Sequence, residues 1–382
     1  MSTRLPQPAD LLFALLRGEA PPALVSAADW DAVGIYALAT GLGPLLAHTA
    51  GESLPPMLAA RLRLAGRRTA GRNQTLLAAL ADLLAACCAG GLPVIVLKGA
   101  YLAPQVYRDL SLRGMSDVDM LLRPGDLQRF QAVLDQHGYE GRYTNPESGP
   151  GVVKHEWTYY RHSADTASVT NPYLSTSESF QVEPHTSLSE RWFGLQLDIR
   201  EDVWDRAAPW ELGGQTALAL DPVDTLLHVA VHVVFHLIMG KPALVQLYDI
   251  RKLLEANPDL PFAALRDRAH RQHASAHVLA ALRLAQQAYA APVPSHWLDA
   301  LASDSPSSQR RQAEGLSLAD LWQLTQQAPL TTLSQRLRRG VYDRRLAARW
   351  ARDRQEVWRV WRSAILFYRT DTAGILRRRL PE

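Results

Sequence analysis

The sequence predicts an α+β protein in which a small mixed sheet lies between helical segments. A short apolar, β-branched run at 93–97 passes through a lysine and a glycine into residues at helical spacing. A second strand pattern follows at 116–122, so strands and helices alternate in this part of the chain. From Asp221 onward almost every segment has the apolar spacing of a helix.

Composition is that of a folded protein and excludes several classes. The chain has 382 residues, of which 47% are hydrophobic and 21% charged. The two cysteines, Cys87 and Cys88, are neighbours, which excludes a disulfide framework and a zinc site of the CxxC type. No signal peptide is apparent, and polar residues interrupt the longest apolar stretches. We therefore expect a cytoplasmic protein with no membrane span.

The chain divides into four predicted segments. Residues 1–90 form an N-terminal helical segment, with helices at 10–16, 29–47, 56–65 and 73–89 that glycine and proline separate. The sheet domain is predicted at 91–215, a helical substrate-binding domain at 216–330, and a basic, aromatic-rich helical extension at 331–382. We interpret the N-terminal helices as packing elements.

The first strand ends in Lys98-Gly99, and a helix begins there. A strand that enters a helix through a glycine leaves backbone N–H groups and the positive end of the helix dipole exposed. This turn is therefore a candidate seat for phosphate.

Two aspartates lie on one face of the second strand. Asp117 and Asp119 alternate with Val118 and Met120, so the carboxylates share a face and the apolar side chains anchor the other. Their Cα atoms are roughly 7 Å apart, close enough to share a divalent cation. Solvated aspartates on an edge strand are the alternative, but two carboxylates within an apolar strand are costly without a partner.

A polar stretch at 141–178 contains one expected strand, at 152–160, and a further strand is expected at 180–185. In the latter, Glu183 and His185 alternate away from the apolar residues and share a face. Pro184 cannot donate to a ladder, which predicts an edge strand or a strand end.

These residues carry a resemblance. Leu97-Lys98-Gly99, followed by Arg113, Asp117, Asp119 and two leucines, resembles the nucleotidyltransferase superfamily that shares the DNA polymerase β palm. More narrowly, the chain is similar to a bacterial family of uncharacterised nucleotidyltransferases often encoded near lasso-peptide and other biosynthetic genes. The similarity covers roughly residues 30–254 and takes in the strand at 180–185 and Tyr248-Asp249-Ile250.

The resemblance implies a palm-like sheet and a set of functional residues. Lys98 and Gly99 would hold the triphosphate of an NTP such as ATP, where the superfamily usually has Gly-Ser. Glu183 takes the position of a third carboxylate that is usually aspartate, with His185 two residues on. Together with Asp117 and Asp119, Glu183 would bind Mg²⁺ or Mn²⁺. Two such cations can bridge the triphosphate and the attacking hydroxyl, so the site would catalyse transfer of a nucleotidyl group.

Other polar residues have open roles. Arg113 could pair with phosphate, or equally with Asp109 or Glu140. Histidines 228, 232 and 236 follow one helix face, and its outer two lie about 12 Å apart, so the three cannot share one ion. We favour a polar seam there. Through the resemblance His232 and His236 stay candidates for substrate contact, with Asp249 capping or orienting one of them.

The acceptor is not given by the sequence. The family's gene neighbourhoods suggest a peptide natural product. Residues 335–382 hold 14 arginines and five acidic residues, a local charge of +9 in a chain of net charge +3. Tryptophans are interleaved with these arginines. Nucleic acid binding is one interpretation and packing of the tryptophan face is the favoured one. A toxin-like transferase acting on tRNA and a catalytically degenerate, peptide-binding scaffold are the alternative functions.

Overall fold

The computed structural model describes residues 7–143, 157–161, 180–197, 199, 202–326 and 333–363, and it confirms the predicted α+β class. A central mixed sheet is flanked by helices, and the C-terminal region is helical. The strands are β1 (Val94–Val96), β2 (Val118–Leu122), β3 (Glu140–Tyr143), β4 (Trp157–Arg161), β5 (Phe180–His185), β6 (Glu190–Trp192), β7 (Leu195–Leu197), β8 (Ala208–Leu212) and β9 (Gln215–Ala219).

Most helices lie before β1 and after β9. The α-helices are α1 (Gln7–Arg17), α2 (Ala27–Ala39), α3 (Gly43–Ala50), α4 (Pro56–Ala89), α5 (Lys98–Leu102), α6 (Leu127–Gln136), α7 (Val203–Arg206), α8 (Pro222–Ile238), α9 (Leu244–Ala256), α10 (Phe262–Arg271), α11 (Ser275–Tyr289), α12 (Ser295–Ser303), α13 (Ser307–Gly315), α14 (Leu318–Thr325), α15 (Leu333–Arg349) and α16 (354–363). A π-helical turn, Ala103–Tyr107, continues α5.

The main sheet has the strand order β3-β4-β5-β2-β1-β9-β8. Strand β2 is antiparallel to β1 and parallel to β5, and β1 is parallel to β9. The other pairs in this sheet are antiparallel. The two strands predicted to carry carboxylates, β2 and β5, are therefore direct neighbours.

Two N-terminal helix predictions differ from the structure. Residues 29–47 form two helices, α2 and α3, because Gly41 adopts a left-handed φ of 77° between them. The break expected between the helices at 56–65 and 73–89 is wrong, since α4 covers both as one helix of 34 residues. An interior glycine such as Gly71 costs only about 1 kcal/mol in a helix. The buried side chain of Asn73 holds this part of α4 against the chain before β2.

Strand β5 lies inside the sheet, between β4 and β2, so the expectation of an edge position is wrong. The alternative expectation, a strand end, is confirmed, because Pro184 is the penultimate residue of β5. Pairing with β4 covers Phe180 to Val182 only, so Pro184 lies beyond that ladder. Of the strand expected at 152–160, the first part lies outside the described residues, and β4 is its observed part.

The sheet separates two hydrophobic cores. Val118, Met120 and Leu122 of β2 pack with α6 and the second half of α4. Ile95 and Leu121 point the other way and join a larger core that includes α1, α8, α9 and α11. Because side chains alternate along β2, Asp119 faces this second, helical side. The predicted segment boundaries at 90, 215 and 330 remain predictions.

The C-terminal region packs partly on the body of the protein. Trp350 is buried and its ring lies 4.9 Å from that of His277. Trp358 and Trp361 of α16 are exposed. None of the helices in the described parts of the chain is long and apolar enough to cross a membrane.

Candidate active site

The pairing of β2 with β5 brings together residues more than sixty positions apart. In this parallel ladder Asp119 lies opposite Glu183, and Leu121 lies opposite His185. Neighbouring strands are about 4.8 Å apart, so side chains on the same face meet. Ligand atoms of Asp119, Glu183 and His185 all lie within 4.8 Å of one another. The structure therefore places a carboxylate of β5 beside a carboxylate of β2 on a shared face, as the sequence pattern predicts.

Hydrogen bonds fix this group. The Lys98 ammonium donates to Oδ1 of Asp119 at 2.6 Å, and Nε2 of His185 lies 2.7 Å from the same oxygen. An ionised carboxylate only accepts, so this contact is a hydrogen bond when Nε2 of His185 carries the proton. Gln181 donates from Nε2 to Oε1 of Glu183 at 2.7 Å. Gln181 lies two residues before Glu183 and so shares its face of β5.

Three carboxylates act on the Lys98 ammonium at this position. Burial alone lowers the pKa of the Lys98 ammonium, but three carboxylates outweigh burial and raise that pKa above its ordinary value. The three are those of Asp119, Glu183 and Asp117. We call these carboxylates, together with His185 and Lys98, the acidic centre. Asp119 is only 3% exposed and Glu183 9%, so the surplus charge lies away from water.

Asp117 lies at the margin of the acidic centre. It directly precedes β2, is half-buried, and accepts a 3.0 Å hydrogen bond from the Ser116 hydroxyl. It does not belong to the compact group formed by the other two carboxylates and the histidine. The Asp117 charge also acts on Arg72. Burial lowers the pKa of Arg72, and the negative charge of Asp117 partly offsets that decrease. Arg72 is a neighbour that sequence reasoning missed.

The Lys98-Gly99 turn is tightly packed. Lys98 has a left-handed φ of 48°, a conformation that glycine adopts readily. Glycine is the usual residue at this position in the superfamily that the turn resembles. A Cβ on Gly99 would lie 3.0 Å from Nη1 of Arg113 and 3.1 Å from Cγ of Met115. A side chain at position 99 would therefore require Arg113 or Met115 to move by a few tenths of an ångström. Triphosphate binding by this turn stays a prediction.

Arg113 forms an internal ion pair. Its guanidinium donates to both carboxylate oxygens of Asp249, from Nε at 3.2 Å and from Nη2 at 2.9 Å. The Tyr107 hydroxyl donates to Oδ1 of Asp249 at 2.8 Å, and burial followed by the Asp249 charge raises the pKa of Tyr107 well above its ordinary value. Asp249 is thus a partner of Arg113 that the sequence did not indicate. A phosphate contact by Arg113 and a substrate contact by Asp249 remain predictions.

The histidines of α8 lie against the β6–β7 hairpin. Nδ1 of His232 lies 3.0 Å from Oε1 of Glu190, whose other oxygen accepts a 2.7 Å hydrogen bond from the Trp192 indole. The ring of His236 is centred 4.1 Å from that of His232. This arrangement fits the favoured polar seam. Substrate contacts by His232 and His236 remain predictions, and Glu190 had no signal in the sequence because its partner lies 42 residues away.

The donor set of the acidic centre suits a hard cation. Two carboxylates and an imidazole in one buried group offer oxygen ligands for Mg²⁺ and an additional nitrogen that Mn²⁺ accepts. In the parts of the chain that the structure describes, no other cluster of three metal-ligating side chains meets this geometry.

The unit consists of a strand, a turn and a helix, followed by a strand with a buried aspartate that pairs with a parallel strand bearing a second carboxylate. This arrangement is compatible with the predicted nucleotidyltransferase class. The chain belongs to the family described as uncharacterised nucleotidyltransferase, whose model matches residues 26–290. No curated protein and no solved structure matches the chain. Family membership confirms the predicted class: the protein is a transferase that acts on a nucleotide.

Proposed function

We propose that the protein transfers a nucleoside monophosphate from an NTP to a hydroxyl or phosphate acceptor with the help of Mg²⁺ or Mn²⁺. The observation that carries this proposal is the register of Asp119 with Glu183 in a buried group that also contains His185. Buried carboxylates in excess of their counter-charge are costly unless a cation offsets them. Lys98 and, beside Asp117, Arg72 each supply one positive charge, and a divalent cation would supply the remainder.

Each residue has a role in this chemistry. Asp119 and Glu183 would hold the cation, with Asp117 as a further ligand at the rim of the centre. A bound divalent cation polarises the phosphoryl oxygens and stabilises charge on the leaving group. Lys98 would pair with phosphate oxygens once the cation takes over part of its interaction with Asp119. Its neighbour Gly99 allows close packing against Arg113 and Met115.

In the reaction an acceptor oxygen attacks the α-phosphorus, a new P–O bond forms, and the bond to the β-phosphate oxygen breaks to release pyrophosphate. When the acceptor is a hydroxyl, Glu183 takes its proton. The hydrogen bond from Gln181 to Oε1 of Glu183 holds this carboxylate in place. His185 is oriented by Asp119 and would support the cation or bind phosphate.

The test is incubation with each NTP, Mg²⁺ or Mn²⁺ and candidate acceptors, followed by mass spectrometry. Peptides belong among the acceptors, because the resemblance leads to a family often encoded beside lasso-peptide genes. An acceptor mass increased by one nucleoside monophosphate is the expected result, and Asp119→Asn should abolish it. If calorimetry finds that the wild type binds neither NTP nor cation, the protein is a scaffold and the proposed function is wrong.

A tRNA-modifying transferase is the second candidate, and one observation favours it. On α16 the Arg362 guanidinium lies 5.1 Å from the ring centroid of the exposed Trp358, and Arg354 and Trp361 are exposed on the same helix. Arginine beside exposed aromatic rings can bind nucleic acid by phosphate pairing and base stacking. Co-purifying RNA with salt-sensitive binding would support this candidate, and its absence would exclude it.

A further inference from the structure

A cavity adjoins the acidic centre. It has a volume of about 250 Å³ and lies between the end of α2, the start of α3, the first half of α4 and the residues that lead into β2. Leu38, Pro44 and Leu64 provide apolar wall, and Gly114 and Ser116 form the side next to Asp117.

Three arginines of α4 line this cavity. Arg61, Arg68 and Arg72 are spaced by seven and four residues, which places them along one face of the helix. Arg61 and Arg68 are exposed, Arg72 is half-buried, and none of the ion pairs within the described residues engages Arg61 or Arg68. The cavity therefore combines an apolar wall with positive charge.

The wall of the cavity is tied to the acidic centre. Nδ2 of Asn73 donates to the carbonyl oxygens of Leu110 and Arg113, and Oδ1 of Asn73 accepts from the backbone N–H of Met115. These bonds hold the chain before β2 against α4. The Ser116 hydroxyl, on the cavity wall, donates to Asp117.

We propose that this cavity binds the phosphate group of the acceptor substrate, so that the acceptor is a phosphate-bearing molecule. Guanidinium groups match phosphate oxygens in charge and geometry. Under the proposed function the NTP lies at Asp119 and Lys98, and Ser116, on the cavity wall, precedes Asp119 by three residues, which is at most about 11 Å of extended chain. A second substrate whose phosphate occupies the cavity reaches the acidic centre past Ser116. This inference rests on the proposed function for its assignment to the acceptor.

The test compares two double variants of the full-length chain by calorimetry, with inorganic phosphate and with ATP plus Mg²⁺ as probes. Arg61→Gln with Arg68→Gln removes two cavity arginines. Arg63→Gln with Arg67→Gln is the matched control, because both residues are exposed on the same helix and do not line the cavity. We expect the cavity variant to lose at least about tenfold in affinity for inorganic phosphate and to keep ATP affinity within about threefold, with the control unchanged.

Each other outcome has a defined meaning. Unchanged phosphate affinity in the cavity variant, an equal loss in the control, or no phosphate binding by the wild type overturns the inference. A parallel loss of phosphate and ATP affinity assigns the cavity to the triphosphate and overturns the assignment to the acceptor. In a third outcome, the wild type binds phosphate through these arginines but does not bind ATP. The cavity is then an anion site, and the proposed function is wrong.

Discussion

Adjacent residues of one turn contact two buried ionic clusters that differ in charge balance. Lys98 donates to Asp119 of the acidic centre, where three carboxylates are offset by the Lys98 ammonium and by Arg72 beside Asp117. Gly99 packs against Arg113, which with Asp249 forms a pair of one cation and one anion, closed by the Tyr107 hydroxyl. The first cluster has a surplus of negative charge and the second is neutral.

The difference shows how to distinguish a functional cluster from a structural one. A balanced, fully hydrogen-bonded pair is satisfied by the protein itself, so its loss affects folding. A cluster with surplus buried charge costs folding free energy and becomes favourable only with a ligand of opposite charge. Removing one carboxylate from the acidic centre should therefore affect activity, and removing Asp249 should affect stability.

The largest expected effect is on catalysis. Asp119→Asn should lower nucleotidyl transfer by about 10³-fold or more, because it removes a cation ligand and the partner of both Lys98 and His185. The free energy of unfolding should change by less than about 1 kcal/mol, since like-charge repulsion is relieved at the same time. Steady-state kinetics and urea unfolding measure the two quantities, with Asp267→Asn, an exposed aspartate, as control. Near-normal turnover by Asp119→Asn would remove the acidic centre from the mechanism.

The second effect is on stability. Asp249→Asn should lower the free energy of unfolding by about 3–5 kcal/mol, because the buried Arg113 guanidinium loses its counter-charge. Equilibrium unfolding in urea measures this loss. A double variant, Arg113→Met with Asp249→Leu, should recover much of it, since replacing both partners leaves no buried charge. A loss below about 1 kcal/mol in the single variant would mean that the pair does not stabilise the fold.

A third buried ionisable group extends the comparison to a site without counter-charge. His277 stacks between Phe235 and Trp350, and burial, with a contribution from the Arg352 charge, lowers its pKa from 6.5 to about 3. Between pH 3 and pH 6.5 the imidazole of His277 binds a proton in the unfolded chain but not in the folded chain. Stability due to neutral His277 is therefore complete above pH 6.5 and is lost as the pH falls towards 3.

The expected slope is up to about 1.4 kcal/mol per pH unit in that window. Unfolding free energies measured at successive pH values should fall less steeply in His277→Phe than in the wild type. His48→Gln, which alters an exposed histidine of α3, is the matched control. Identical pH profiles for wild type and His277→Phe would contradict the assignment of a neutral, buried imidazole.

Local pattern in the sequence predicted which side chains share a face on each of the two strands of the acidic centre. Alternation along two short strands put Asp119 on one face of β2 and Glu183 with His185 on one face of β5, and side chains repeat every two residues in any strand. The resemblance to a nucleotidyltransferase then supplied the pairing of those faces. The register Asp119 to Glu183 agrees with that expectation.

Long-range partners were not predictable in the same way. Arg113 and Asp249 are separated by 136 positions and lie on elements whose mutual position only the packed fold defines. The continuous α4 is a second case, since tertiary contacts of Asn73 override the weak local preference of glycine for a break. The interior position of β5 is a third, because only its neighbours determine whether a strand lies at an edge.

The most direct test of the account is a Mn²⁺ titration followed by electron paramagnetic resonance, with wild type, Asp119→Asn and Asp249→Asn under conditions where all three are folded. The account predicts saturable Mn²⁺ binding by the wild type and by Asp249→Asn, and loss of that binding in Asp119→Asn. Equal Mn²⁺ binding by wild type and Asp119→Asn, or no binding by the wild type, would contradict the claim that the surplus charge of the acidic centre is a cation site.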